Sequence, residues 1–225
     1  MLTSASTEAR RDGDIELPPL PRAFFSRPTD VVARELLGTW LCRQTGDGLS
    51  CGRVVETESY GGPEDLASHA RAGRTRRTTP MFGEVGHAYV YLVYGMHYCL
   101  NVVTEPEGYP AAVLIRALDP VEGIDVMRRR RARAMKGRRA LPNAKALPQH
   151  EVCRGPGNLT MAMGITLVEN QLDLLGDRLY VEDRGIQVDQ IAWGPRIGIR
   201  VGTEAPWRAW VADNPAVSAR PRGKG

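Results

Sequence analysis

The stretch R-V-V-E-T-E-S-Y-G-G-P-E-D-L-A-S-H, residues 53–69, and its continuation H-A-Y-V-Y-L-V-Y-G-M-H-Y-C-L-N, residues 87–101, decide the fold. Val54, Val55, Thr57 and Tyr60 are strand formers. Alternation sets Glu56, Glu58 and Tyr60 on one face and Val55, Thr57 and Ser59 on the other. Two readings of Glu58 stay open on this pattern alone. An exposed edge strand carries glutamate for solubility, which is the commoner case. The sharper reading is an acid/base group beside an aromatic platform. Gly61-Gly62-Pro63 ends the strand. Residues 64–69 then form a helical turn or short helix that returns His69 toward the strand end. A lone histidine is more often structural than a ligand.

Arg71, Arg74, Arg76 and Arg77 follow with no acid between Arg71 and Thr79, which suits phosphate contact. Ala88 to Val93 alternates again, with Tyr89, Tyr91 and Val93 on one face. Tyr94-Gly95-Met96 is a turn and His97 to Val103 a returning strand, so Tyr94 stands at a hairpin tip. A bulky ring at an exposed tip is unusual for a monomer surface.

Outward from this hairpin, residues 1–22 are a polar, disordered tail. Thr29 or Asp30 caps a helix through Leu37, and Gly38 stops it. Trp40 to Arg43 and Ser50 to Tyr60 are strands joined by residues 44–48. Ala111 to Leu118 is a strand, apolar apart from Arg116, a cation that either snorkels or meets an anion. Asp119-Pro120 opens a helix into Arg128 to Arg131. That basic run, with Arg133, Lys136, Arg138 and Arg139, is either a solvated helix end and mobile loop over about 128–150 or a non-specific DNA contact. Gly155-Pro156-Gly157-Asn158 leads into a helix over Leu159 to Met163, its amides free for a phosphate or merely part of a tight turn. Arg178 to Glu182, Gln187 to Trp193 and Arg196 to Ile199 are expected strands. Trp207 and Trp210 are expected to pack in the core. Residues 218–225 are a basic tail.

Strands outnumber helices and connections are short. The fold class is therefore α+β: a single domain over residues 23–217 with a curved, mostly antiparallel sheet, flanking helices and a protruding hairpin. The net charge of +4 is mild, but the positive charge is concentrated, which matters more for nucleic acid than the sum. Cys42, Cys51, Cys99 and Cys153 contain no C-x-x-C pair, so no zinc site is expected. Cys42 and Cys51 flank the first hairpin turn and are placed to face each other, although reduced buried thiols are the ordinary state in a cytosolic protein. No signal peptide is visible. Residues 85–104 lack charged side chains, but their tyrosines, histidines and alternation argue against a membrane span.

The motifs V-E-T-E-S-Y-G-G-P-E-D-L-A-S-H (55–69), M-F-G (81–83), Y-V-Y-L-V-Y-G-M-H-Y-C-L-N-V (89–102), A-V-L-I-R-A-L-D-P (112–120) and G-P-G-N-L-T-M-A-M-G-I (155–165) together resemble the alkyladenine (3-methyladenine) DNA glycosylase family, from about Phe25 to about Val217. The resemblance implies a monofunctional, monomeric, cofactor-free and metal-free repair enzyme of the bacterial cytosol or nucleoid. It would flip alkylated or deaminated purines out of double-stranded DNA and hydrolyse the glycosidic bond. It implies Glu58 as the base that activates water and Arg116 as the holder of the adjacent phosphate, with a backbone group of residues 196–199 assisting. Tyr60, His69, Tyr91 and Asn101 would line the base pocket. Tyr94 and Met96 would fill the gap in the duplex, and Arg74, Arg76 and Arg77 would touch the DNA backbone. The sequence departs from the family where R-T-P-R-N-R is usual: it reads R-T-R-R-T-T-P over residues 74–80. His87 and His97 carry no expected role. The alternatives are a non-catalytic DNA-binding homologue and a nucleotide- or RNA-binding domain on the same fold.

Overall fold

Strand pairing makes the Glu58 strand the centre of the molecule and not its edge. The structure, a computed structural model, describes residues 17–93, 95–134 and 147–218. The expectations for residues 1–16, for Tyr94, for Lys136, Arg138 and Arg139 and for residues 219–225 lie outside them. β1 (Trp40–Thr45) and β2 (Gly48–Gly61) form the first hairpin. β3 (Ala88–Val93) and β4 (His97–Val103) form the second. β5 (Ala111–Glu122), β6 (Leu179–Glu182), β7 (Ile191–Gly194) and β8 (Arg208–Val211) complete one antiparallel sheet. Its main path runs β3-β4-β5-β2-β1-β6, and β8 joins β2 to β7. β2 is paired with β5 along nearly its whole length, with β1 over its first half and with β8 at Glu56 to Glu58. From Val54 to Ser59 the strand is buried on both faces. Three register shifts between β2 and β5, at Cys51/Gly52, Val54/Glu56 and Glu56/Thr57, curl the sheet.

The helices are short: α1 (Arg22–Phe25), α2 (Thr29–Glu35), α3 (Ile124–Ala134), α4 (Gln149–Val152) and α5 (Pro156–Met163). Phe25, Val32 and Leu36 meet Leu41, Val54, Leu100, Ile115, Leu118, Met127, Leu159 and Met163 in one apolar core. Burial of each such side chain stabilises the fold by roughly 1.5–3 kcal/mol. This is the α+β domain with a curved antiparallel sheet expected from the excess of strands and the short connections. Leu20, in the stretch expected to be tail, is also buried in this core, and its N–H donates to the Val181 carbonyl.

Several local expectations are corrected. Asp119 and Pro120 do not open a helix. β5 runs through them to Glu122, because Asp119 sits opposite Arg53 and forms an ion pair with it at 3.0 Å. The helix begins after Gly123, whose φ of +67° and near contact with the Leu49 carbonyl leave no room for a Cβ. Thr29 does not cap α2 with its side chain: its N–H and hydroxyl both bond the Glu105 carboxylate. Arg196 to Ile199 is not a strand. Gly198 adopts φ +81° there, and Arg196 turns inward to Asp65. Trp210 is buried against Val55 and Ala117, as a core indole should be. Cys42 and Cys51, whose pairing the sequence left open, are cross-strand partners and are bonded as a disulfide. The register sets their Cα atoms 4.2 Å apart.

Candidate functional site

Arg128 to Arg131 were expected to face solvent or DNA, and half of them do neither. Arg130 is buried and donates to Thr45 at 2.6 Å, to Ser50 at 3.2 Å and to the Ala162 carbonyl at 3.3 Å. Arg131 is buried and bonds the carbonyls of Glu151 and Val152. Both tie α3 to its neighbours. Burial lowers both pKa values against the pull of nearby acids. Arg129 and Arg133 remain exposed.

The candidate site is instead a cavity of about 620 Å³ between the β3–β4 hairpin, the segment after β2 and the loop before β8. Its floor starts from Glu58, which is 0% exposed. Three donors converge on this side chain: the Ile197 N–H at 2.7 Å, the Tyr60 hydroxyl at 2.8 Å and the Arg116 guanidinium at 3.3 Å. A group that receives donors on both oxygens is placed as a carboxylate, which only accepts. All three partners line the cavity, so Glu58 lies directly behind its wall. The expected face pairing of Glu58 with Tyr60 is therefore present, and the edge-strand reading of Glu58 is overturned.

Arg116, 7% exposed, is not a free phosphate hook. Its Nε bonds Glu56 at 3.1 Å and its Nη2 bonds Ser218 at 3.3 Å, while Nη1 faces Glu58. Burial works against its charge, but Glu58 and then Glu56 outweigh burial and raise its pKa above the ordinary arginine value. Burial, then Glu58, push the Tyr60 hydroxyl far above the usual phenol range, so it stays a donor.

The mouth is aromatic. Tyr89 and Tyr91, on one face of β3 as alternation predicts, stand 5.2 Å apart, and His69 meets Tyr91 edge-on at 4.6 Å. His69 has Tyr89 Oη at 3.3 Å from Nδ1 and Arg77 Nη2 at 3.3 Å from Nε2. Burial, then Arg77, lower its pKa to about 4. The segment 64–69 is a series of turns, and His69 opens a 3-10 helix running to Ala72. Asn101 is buried in the cavity wall and donates to the Tyr89 carbonyl at 3.0 Å.

The remaining expected residues lie at the rim or beyond. Met96 is 49% exposed at the hairpin turn. Arg74 stacks on Phe82 at 4.9 Å, Arg76 is exposed, and Arg77 lies over Tyr91 at 5.0 Å, inside the cavity mouth. The displaced Pro80 is buried at the start of a 3-10 helix, Thr79–Phe82. His97 packs against Gly157, where no Cβ would fit without displacing the imidazole.

The sequence reading missed two supports. Glu56 accepts from Arg116, from Arg208 at 2.7 Å and from both N–H and hydroxyl of Ser218. Asp65 grips Arg196 with two bonds of 2.6 and 2.7 Å, between the rings of Tyr60 and Trp207. That pair fixes the loop whose next residue, Ile197, bonds Glu58. Asp65 stood inside the quoted motif, but nothing in local spacing links it to a partner 131 residues away. Among the described residues no group of three or more His, Cys, Asp or Glu stands together as a metal site. No helix among them is long and apolar enough to cross a membrane.

The chain also resembles known proteins. The model of the methylpurine-DNA glycosylase family matches residues 23–215. A protein of Methanocella arvoryzae named "Putative 3-methyladenine DNA glycosylase" is 48% identical over 92% of this chain and 99% of its own length. Relatives of the same name from Burkholderia lata and Anaeromyxobacter dehalogenans are 44% and 42% identical over 88% and 91% of the chain and 90% and 87% of their own lengths. The chain belongs to the methylpurine-DNA glycosylase family.

Proposed function

We propose that this protein is a monofunctional DNA glycosylase that takes alkylated or deaminated purines, such as 3-methyladenine and hypoxanthine, from duplex DNA and leaves an abasic site. The observation that carries this reading is Glu58: a carboxylate with no exposed surface, bonded to three groups that all line an aromatic cavity. A 620 Å³ cavity lies within the usual range for small-ligand sites and takes one purine. The base leaves the stack, costing a few kcal/mol, and stacks against Tyr91 and His69. The mispaired or damaged nucleotide leaves most easily, which is itself a source of selection.

Glu58 takes the proton from a water as that water attacks C1′. The water meets it at the seam between Tyr60, Arg116 and Ile197. The sugar passes through an oxocarbenium-like state, which the same carboxylate stabilises. Arg116 is held by Glu56 and Ser218 on one side, so its Nη1 stays fixed against Glu58 and orients the water. Tyr60 and the Ile197 N–H hold the two carboxylate oxygens in place. Asn101 narrows the cavity against the exocyclic amine of normal guanine. Arg74 and Arg76 carry the phosphate contacts of the flanking strand.

The test is incubation of the protein with duplexes carrying single 3-methyladenine or hypoxanthine residues, followed by free-base analysis and alkali cleavage. Free base with alkali-dependent nicking supports the reading. Salt-dependent duplex binding with no base release would identify a non-catalytic homologue.

A further inference from the structure

A flipped nucleotide brings a base, a sugar and a charged phosphodiester to the cavity. On the glycosylase reading two of these have a seat. His69 and Tyr91 flank the base, and the sugar stands where Tyr60, Arg116 and Ile197 meet Glu58. The phosphate has none. Arg116 was expected to hold it, but each of its three nitrogens already faces a protein group: Nε meets Glu56, Nη1 Glu58 and Nη2 Ser218. Arg77 lies over Tyr91 and against His69, on the side of the base.

A third arginine lines the cavity. Arg200 is exposed, and among the described residues it makes no hydrogen bond or ion pair. It stands on the loop between β7 and β8, three residues after Ile197, a span of at most about 10 Å. That loop is closed at its base. Arg196, buried and gripped by Asp65, also donates to the Gly202 carbonyl at 3.5 Å, so one side chain ties both ends. Gly198 and Gly202 bracket Arg200 at φ +81° and +62°, turns that a side chain would strain. An exposed arginine often only faces water. This one rides on the same short arch as the amide that bonds Glu58, and its forked donors match a phosphate.

We infer that Arg200 binds the phosphodiester beside the flipped nucleotide, so that loop 196–202 holds the substrate phosphate and the Glu58 carboxylate in one frame. The inference rests on the glycosylase reading and adds to it a substrate-binding residue.

The experiment uses the full-length protein and duplexes with a single abasic analogue or a single hypoxanthine. In each, the phosphate on the 5′ or the 3′ side of that nucleotide is either ordinary or an uncharged methylphosphonate. With ordinary phosphates, Arg200→Gln should weaken binding to the abasic-analogue duplex by about 5- to 15-fold, the size of one exposed charge-assisted contact. The salt slope should become shallower by nearly one. Arg200→Lys, which keeps the charge and loses the fork, should keep the slope and lose no more than about threefold. At one of the two linkages the methylphosphonate should cost the unsubstituted protein a similar factor and Arg200→Gln less than about twofold, because the two changes delete the same contact. Losses that multiply at both linkages would put Arg200 on a distant phosphate, and unchanged binding by Arg200→Gln would leave it in solvent. Either result overturns the inference. The hypoxanthine duplex separates the two readings. Base release without this coupling removes the Arg200 contact alone. Coupling without base release by the unsubstituted protein keeps the contact and overturns the glycosylase reading.

Discussion

The cavity has a floor and a mouth, and they are built on different principles. At the floor, Glu56, Glu58 and Arg116 are almost fully buried, and their bonds run to β2, β5, β8 and the segments flanking β8. At the mouth, Tyr91, His69 and Arg77 keep exposed surface and meet mainly through ring faces and edges. A buried charge must be fully bonded, so the floor has essentially one arrangement. Ring contacts tolerate sliding, so the mouth can take different bases. On the proposed function, geometry for the reaction would be fixed below and selection left to the surface above.

The sharpest break of this contrast is Glu58→Gln. It should cost about 10²–10⁴-fold in the single-turnover rate, the usual size of one positioned general base. Binding to a duplex with an abasic analogue should be kept. Near-normal excision would move the role to Glu56 or Glu64. Its neighbour gives the control. Glu56→Gln should destabilise the fold more than Glu58→Gln, by about 3–5 kcal/mol, because it removes the anion that faces both Arg116 and Arg208. Urea unfolding of both variants decides; equal stabilities would mean that the two carboxylates share one function.

At the mouth, Tyr91→Ala removes a stacking surface worth about 1–3 kcal/mol per base. Excision should fall roughly 5- to 150-fold, paired and mispaired lesions alike, because the ring contacts the base wherever it was flipped from. A loss confined to paired lesions would assign Tyr91 to the duplex gap and not to the cavity. Some stability should be lost as well, since Tyr91 is half-buried against the cluster of Ala70, Met81 and Tyr89, so excision is compared under conditions where both proteins are folded.

The same contrast explains what the sequence made legible. β2 and β3 follow from alternation, β4 from the turn before it and most of β5 from its apolar run, and with them the shared face of Glu58 and Tyr60 and that of Tyr89 and Tyr91. Those are local properties. The environment of a charge is not local. R-R-R-R over residues 128–131 reads as one basic block, yet Arg130 and Arg131 point at carbonyls and hydroxyls of β1, β2, α4 and the end of α5, and leave solvent. Asp119-Pro120 is a good helix start by composition, but the antiparallel register with Arg53 outweighed it. The Arg116 partners lie 60 and 102 residues away in sequence, beyond any window of periodicity.

A consequence follows for salt. Deleting the charges of Arg128 and Arg129 should change the salt slope of duplex binding by at most about one unit per phosphate contact. Arg131→Met should leave the slope alone and cost about 1–3 kcal/mol of stability, the cost of unbonded buried acceptors. A changed slope in Arg131→Met would put that arginine on DNA.

The smallest expected effect tests the mouth most directly. His69 has its pKa lowered from 6.5 to about 4 by burial and then by Arg77. Between these values the unfolded chain takes up a proton at this position and the folded chain does not. The contribution of His69 to stability is therefore complete above pH 6.5 and is lost progressively as the pH falls toward about 4. His69→Gln removes that loss, so its Tm should fall less than that of the unsubstituted protein between neutral pH and about pH 5. The difference is small because the ring faces an open cavity and water screens it. Asp173, held below its ordinary value despite burial by its bonds to Arg22 and the Leu175 N–H, destabilises both proteins equally on acidification and cancels in the comparison. The direct readout is the imidazole proton resonance, which should stay unshifted from neutral pH to about 5 and move only near 4. Arg77→Gln should raise the midpoint partway, leaving the share due to burial. A midpoint near 6.5 in the unsubstituted protein would mean that Arg77 does not rest on His69 and that the mouth is open where a closed contact was drawn.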